Sequence, residues 1–228
     1  MNWMTSKIEK LNIFIRLLFS HRMGLTGFSV ICLFVLMAIF ASLLGTVDPG
    51  RTGEAENILK SPSSSFWLGT DDLARDIWSQ TIYGSRISLT VGLVAALITV
   101  VSGTLVGLVA GFYGKIVEEA LMRIVDFFMM LPELPLMIVL AAVLGPSMWN
   151  IILVVSLVSW PTTARVVRSQ VLSLKERPFV EASRCIGAGS LRLMFGEILP
   201  NVVPLMFAQA VIMITEAIYA EAVLSFLG

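Results

Sequence analysis

Two carboxylates, Glu133 and Glu216, stand inside stretches that are otherwise almost free of charge. A carboxylate at the centre of an apolar helix costs about 2.5–3.5 kcal/mol or more, so it faces a protein interior, an ion partner or a water path. Glu133 lies between Pro132 and Pro135, whose missing amides free backbone carbonyls for a polar cavity or a hinge. The chemistry offered is attraction of a cationic solute along a path, with structural ion pairing as the competing role. A second informative group is Pro178, Glu181, Ala182, Ser183, Arg184 and Gly187, which combines a helix start, charges and a turn without a side chain. Metal and redox chemistry have little to work with. One histidine, His21, and two cysteines, Cys32 and Cys185, exclude a histidine-rich metal site, a four-cysteine zinc site and a disulfide framework. No Gly-x-x-x-x-Gly-Lys-Ser/Thr phosphate loop occurs: Gly114-Lys115 is followed by Ile116 and lacks the first glycine. The twelve methionines are scattered, which suits packing surface better than a copper-handling box.

The elements that position these residues are set by composition. Of 228 residues, 57% are hydrophobic and 14% charged, against about 25% charged in a soluble domain. Sixteen basic and sixteen acidic side chains cancel, so no global field recruits nucleic acid. Uncharged runs of 25 residues after Arg22, 28 after Arg86 and 31 after Glu133 are long enough for helices that cross a bilayer, which need ~20 residues each. Gly145-Pro146-Ser147 divides the longest run. The chain therefore reads as an all-α polytopic membrane protein with five transmembrane helices, near 25–44, 87–112, 124–144, 149–171 and 201–228. A cleaved signal peptide is the rival for the first run, but that run is long for an h-region and has no clear small-x-small site.

Loop charge gives the orientation. Lys7, Lys10, Arg16 and Arg22 precede the first span, and Arg165, Arg168, Lys175, Arg177, Arg184 and Arg192 crowd the segment before the fifth. The loop between the first two spans carries six acids against four bases. The positive-inside rule then puts the N-terminus in the cytoplasm and residue 228 outside. The organisation predicted is a cytoplasmic segment 1–23, a first span 24–45, an extracytoplasmic loop 46–86 and a four-helix core 87–228.

Within the outer loop, Thr70 reads as an N-cap, Asp71 and Asp72 as first-turn acids, and Asp71 and Arg75 as a pair four apart on an interfacial helix. In the loop 175–200, Pro178 opens a short helix, Gly187 to Gly189 close it, and Leu191, Met194 and Phe195 form one face of a second helix before Pro200 resets the chain. Gly103, Gly107 and Gly111 form a small-xxx-small stripe for close helix packing. Asp126 and Arg123 suggest a local pair.

The loop 175–200 resembles the EAA loop of binding-protein-dependent ABC importer permeases. It matches at Glu181-Ala182-Ser183, at Gly187 and at Leu199-Pro200, with Ser183 in place of the second alanine and Glu197 at a hydrophobic position. Trp67-Leu68-Gly69-Thr70-Asp71, Arg75-Asp76, Tyr83 to Leu89, Ser159-Trp160-Pro161, Ala164-Arg165, Val167-Arg168 and Leu224 to Gly228 resemble the dipeptide, oligopeptide and nickel branch. The resemblance implies a subunit without its own ATPase site, paired with a second permease subunit in a prokaryotic cell membrane. Two cytoplasmic ATPase subunits would hold ATP and dock on the EAA loop, and an extracytoplasmic substrate-binding protein would deliver cargo. The cargo implied is peptide, with nickel or a metal chelate as the alternative. Relatives also carry a sixth span beyond the Leu-Ser-Phe-Leu-Gly segment. A secondary transporter would instead need paired interrupted helices, and a membrane scaffold would need no acids within its spans.

Overall fold

The computed structural model describes residues 22–45, 50 and 52–227. Expectations resting on Lys7, Lys10, Arg16, His21, Asp48, Arg51 and Gly228 lie outside those residues. Among the described residues the regular structure is helical, with one isolated bridge between Thr70 and Asp76. The chain divides into two compact units, 1–89 and 90–228.

In the first unit, α1 (Arg22–Ile39) and the single turn α2 (Ala41–Leu44) follow one another across a break at Phe40. Not one residue of α1 is buried. A helix that is apolar all round and exposed all round belongs in lipid or against another chain. The loop beyond it is organised by side-chain oxygens. Thr70 Oγ1 accepts the Lys60 N–H at 2.9 Å and donates to the Asn57 carbonyl. Asp71 accepts the backbone N–H groups of Leu73 and Arg75, the Arg75 Nε at 2.8 Å and the Gln80 amide at 3.0 Å. The predicted pair of Asp71 with Arg75 therefore exists, but inside a turn.

No helix starts at Thr70, contrary to the sequence expectation. Thr70 is engaged by Lys60 and Asn57, Ala74 takes a left-handed φ of 57°, and Asp76 takes over the capping role. Its Oδ2 accepts the Ser79 N–H at 3.1 Å and the Ser79 hydroxyl at 2.7 Å, as an N-cap does. The helix α3 (Ile77–Tyr113) thus begins ten residues before the predicted second span and runs 37 residues. At about 55 Å it is longer than the ~30 Å hydrocarbon core. Trp78 at its start donates its indole N–H to the Leu44 carbonyl at 3.0 Å and packs on Trp67 with ring centroids 5.1 Å apart.

The second unit holds the rest of α3, then α4 (Lys115–Met130), α5 (Glu133–Leu144), α6 (Met148–Lys175), α7 (Pro178–Cys185), α8 (Ser190–Arg192) and α9 (Leu199–Leu227). The predicted third span, 124–144, is not one rod. Its helix starts earlier, at Lys115, one residue after a turn at Gly114, and it is bent by 86° between α4 and α5. The cause is local: Leu131 precedes a proline and is pushed to extended backbone, while Pro132 at the next helix's N-cap removes a donor. Pro135 falls in the first turn of α5, where no partner for an N–H is needed. Gly145, with φ 83°, ends α5 as the sequence suggests, and Asn150 donates to the carbonyls of Leu144 and Gly145.

The predicted break at Pro200 is absent. Ser190 to Leu227 forms one continuous helical stretch. Within it, Leu193–Ile198 widens to a π-type turn, in which the Leu199 N–H bonds the Met194 carbonyl five residues back. Pro200 follows this turn and has no N–H to lose, so the helix passes through it. The wider turn also changes the buried face. Leu193, Met194 and Ile198 are buried, whereas Leu191 and Phe195 are exposed, so the predicted face of Leu191, Met194 and Phe195 is corrected.

Two large apolar clusters hold this unit, with a smaller one of Ala96, Val100 and Met213 between α3 and α9. One joins Val91 and Ala95 of α3, Met137 of α5, Ile152, Val154, Val155 and Val158 of α6, and Ala217, Ala220 and Leu224 of α9. The other, toward the basic end, joins Leu108 and Phe112 of α3, Val167, Val171 and Leu174 of α6, Val180 of α7, and Leu193, Met194, Ile198 and Val202. Between α3 and α6 the backbones meet directly. A Cβ on Gly103 would lie 2.8 Å from the Trp160 carbonyl, on Gly107 2.5 Å from the Ala164 carbonyl, and on Gly111 2.8 Å from Val171 Cβ.

Two outcomes follow from these contacts. Gly107→Ala should lower the melting temperature in detergent through a cost of about 1–3 kcal/mol, because the obstructing atoms are backbone. Gly84→Ala on the same helix, with nothing within 4 Å, should not. Burial opposes ionisation of Asp71, but the hydrogen bonds from Arg75, Gln80 and Leu73 prevail and bring its carboxyl from 3.8 down to about 2. A depressed carboxyl stabilises the fold above its unfolded value, and that stabilisation is lost as pH falls from about 4 toward 2. Tryptophan fluorescence of the Trp67–Trp78 pair should change in that window, and Asp71→Asn should show the changed signal already at neutral pH.

Candidate functional site

The loop 175–200 is built to be stiff. Arg177 is extended at the N-cap of α7, and Pro178 supplies the first helical residue with φ already set. Glu181 falls in the first turn and Arg184 in the last, each at the end of the helix dipole that favours its charge. At the other end, the Gly187 N–H bonds the Arg184 carbonyl at 3.0 Å and the Ala188 N–H bonds the Ser183 carbonyl at 3.1 Å. These two bonds are a Schellman closure, which requires a left-handed residue, and Gly187 has φ 85°. Val180 is fully buried in the cluster at the basic end and anchors α7 to α3, α6 and α9. Glu181, Ala182, Arg184 and Gly187 are exposed and Ser183 is half-buried. Ile186 at 81% and Leu191 at 68% exposure add apolar surface beside these charges. Such a rigid, mixed surface suits a protein partner better than lipid.

Glu133 is the first residue of α5, directly after the bend, with Pro132 at the N-cap. Its Oε1 accepts the Ser159 hydroxyl at 3.2 Å. Glu216 lies on α9 between the buried residues Met213 and Ala217 and points away from them, exposed like Glu133. The two carboxylates are close enough to act on each other electrostatically. The fold therefore places two acids that are 83 positions apart in sequence within electrostatic range of each other. Ser159 was not foreseen; the available signal was a hydroxyl two residues before Pro161 in an apolar helix. Glu221, by contrast, is buried at 7% exposure.

The Asp126–Arg123 pair expected from spacing does not form. Arg123 pairs with Glu119 at 3.4 Å, and Asp126 turns toward α6 to pair with Arg165. Arg168 likewise reaches Glu118, with Nε 2.6 Å from Oε1. Glu118, Asp126, Arg165 and Arg168, with Lys115, Glu119 and Met122, line a cavity of about 430 Å³. A larger apolar groove of about 760 Å³ lies along α3 and α6, between Ile98, Trp149 and Trp160. Among the described residues, no group of three or more His, Cys, Asp or Glu is gathered for a metal ion.

Residues 103–228 match the family of binding-protein-dependent transport system inner membrane components. Residues 11–62 match the N-terminal TM domain of oligopeptide transport permease C. The chain is similar to a dipeptide transport system permease protein of Alkalihalophilus pseudofirmus, with 38% identity over 91% of this chain and 68% of the relative. It is 38% identical to an oligopeptide transport system permease protein of Bacillus subtilis over 92% of this chain and 68% of that protein. A di/tripeptide transport system permease protein of Pseudomonas aeruginosa is 38% identical over 92% of this chain and 71% of its own length.

The glycine closure makes a local prediction. Gly187→Val meets no clash but must hold a left-handed conformation, at a cost of about 1–2 kcal/mol. Hydrogen exchange should speed up in 178–188 while the helices of the core keep their protection. Gly187→Asn, better tolerated in that conformation, should fall between.

Proposed function

We propose, for a chain that belongs to the binding-protein-dependent transport system inner membrane components, that it is a permease subunit of an ATP-driven peptide importer. In this reading it forms a path for di- or oligopeptides across a prokaryotic cell membrane together with a second permease subunit. An extracytoplasmic binding protein delivers the cargo, and two ATPase subunits hold and hydrolyse ATP on the cytoplasmic side. The N-terminus is cytoplasmic, and the loop 175–200 faces the ATPases. Glu181, Ala182, Ser183, Arg184 and Gly187 form the docking surface, with Pro178 fixing its start.

The observation that carries this reading is the stiffness of that loop and its anchorage. A partner pushing on α7 pushes through Val180 on a cluster shared by α3, α6 and α9. Densely packed interiors transmit such displacement instead of absorbing it. Peptide cargo is supported by the three relatives described above, which are dipeptide, oligopeptide and di/tripeptide transport permeases. Glu133 and Glu216 support it on chemical grounds, since every free peptide carries a cationic amino terminus and exposed acids within spans favour cations.

Two measurements test the reading. ATPase subunits should co-purify with the chain, and peptide uptake into vesicles holding the whole complex should require ATP. Retention of that partnership after α7 is replaced by a Gly-Ser linker would overturn the docking role. Glu133→Gln should leave assembly intact and lower peptide uptake roughly tenfold, the scale of one charge-assisted hydrogen bond. Loss of assembly instead would make Glu133 a structural residue.

A further inference from the structure

The helix α4 is held to the rest of its unit in an unusual way. It contributes no residue to either large apolar cluster, and Val125 is its one buried side chain among the described residues. Beside Val125, a ring contact of Phe128 with Trp160 at 5.6 Å and the half-buried Leu121 and Met122, two ion pairs tie it to α6. Arg165 reaches Asp126, and Arg168 reaches Glu118, so two pairs two turns apart on α4 meet two arginines one turn apart on α6. Arg168 and Glu118 are only 32% and 20% exposed. Both arginines lie on the stretch of α6 that carries Val167 and Val171 into the cluster anchoring α7. The arginines thus stand on the same packed segment of α6 that holds Val180 of α7.

The other end of α4 is the 86° bend, and directly across it stands Glu133. The bend has a level in the bundle. In α6, Pro161 separates the residues of one cluster, ending at Val158, from those of the other, starting at Val167. In α9, Pro204 separates Val202 from Ala217 in the same way. Two helical paths are therefore interrupted by proline between the two clusters, and the bend lies beside the first of them, since Glu133 meets Ser159 and Phe128 meets Trp160.

We propose that Arg165 and Arg168 are positioning residues of the transport cycle. Their ion pairs make α4 travel with α6 and α7, and the bend at Leu131–Pro132 turns that travel into a swing of α5 carrying Glu133. The inference rests on the permease reading and adds to it a route from the ATPase side to the acids of the path.

The test uses the whole complex in liposomes, with ATP hydrolysis and labelled-peptide uptake measured together. Arg165→Gln and Arg168→Gln should each lower peptide taken up per ATP by about threefold, the scale of a half-exposed ion pair, while hydrolysis continues. The charge exchange Asp126→Arg with Arg165→Asp should recover the ratio. An unchanged ratio in the single variants, or hydrolysis and uptake falling in proportion without recovery on exchange, overturns the proposal. If the single variants do not assemble, Asp126→Cys with Arg165→Cys, made with Cys32→Ser and Cys185→Ser, replaces the ion pair by a short thiol cross-linker. Uptake that survives cross-linking supports joint movement of α4 and α6; uptake abolished by it overturns that movement. A parent complex with no ATP-dependent uptake at all sinks the permease reading itself, a failure distinct from these.

Discussion

The contact on which the second unit depends is the backbone-to-backbone meeting of α3 and α6. Lipid chains are as apolar as leucine, so helices in a membrane gain little by hiding apolar surface from their solvent. What they gain is close van der Waals contact, and that needs missing side chains. Gly103, Gly107 and Gly111 supply the gap, and the stretch of α6 from Trp160 to Val171 fills it. With α6 fixed in this way, Val167, Val171 and Leu174 are set where Val180 can join them. The loop 175–200 is thus positioned by a glycine stripe more than 60 residues before it in sequence.

Much of this was legible in the residues, for physical reasons. Spans announce themselves because bilayers exclude charge, and the uncharged runs locate four long helices and the bent pair. The short helix α7 was legible because Pro178 and Gly187 have narrow backbone preferences. Three features were not legible. Thr70 and Asp76 are both good caps, and only the fold decides that Lys60 and Asn57 engage the first, leaving the second to start α3. Asp126 has Arg123 at helical spacing, yet the bend and the packing of α4 bring Arg165 closer. Pro200 looks like a stop, and nothing in an isolated sequence reveals the widened turn that lets the helix continue.

The candidate site shows the same division. Glu133 and Glu216 stood out singly, because an acid in an apolar run is conspicuous. Their proximity, and the hydroxyl of Ser159 on Glu133, came only from the bend that ends α4. That bend changes the meaning of Pro132: it is a corner placing an acid at the mouth of a new helix, and the positive end of that helix's dipole sits beside the carboxylate.

The widened turn at Leu193–Ile198 also sets an angular phase. A single residue in an α-helix advances the side chains by about 100° around the axis. Were the same six residues wound at ordinary pitch, all of α9 beyond them would be rotated by about that amount. Glu216 would then be carried round from its outlook beside Glu133, and Glu221 out of its enclosed seat. The compass bearing of both acids is therefore fixed by a local backbone irregularity about five to six helical turns away.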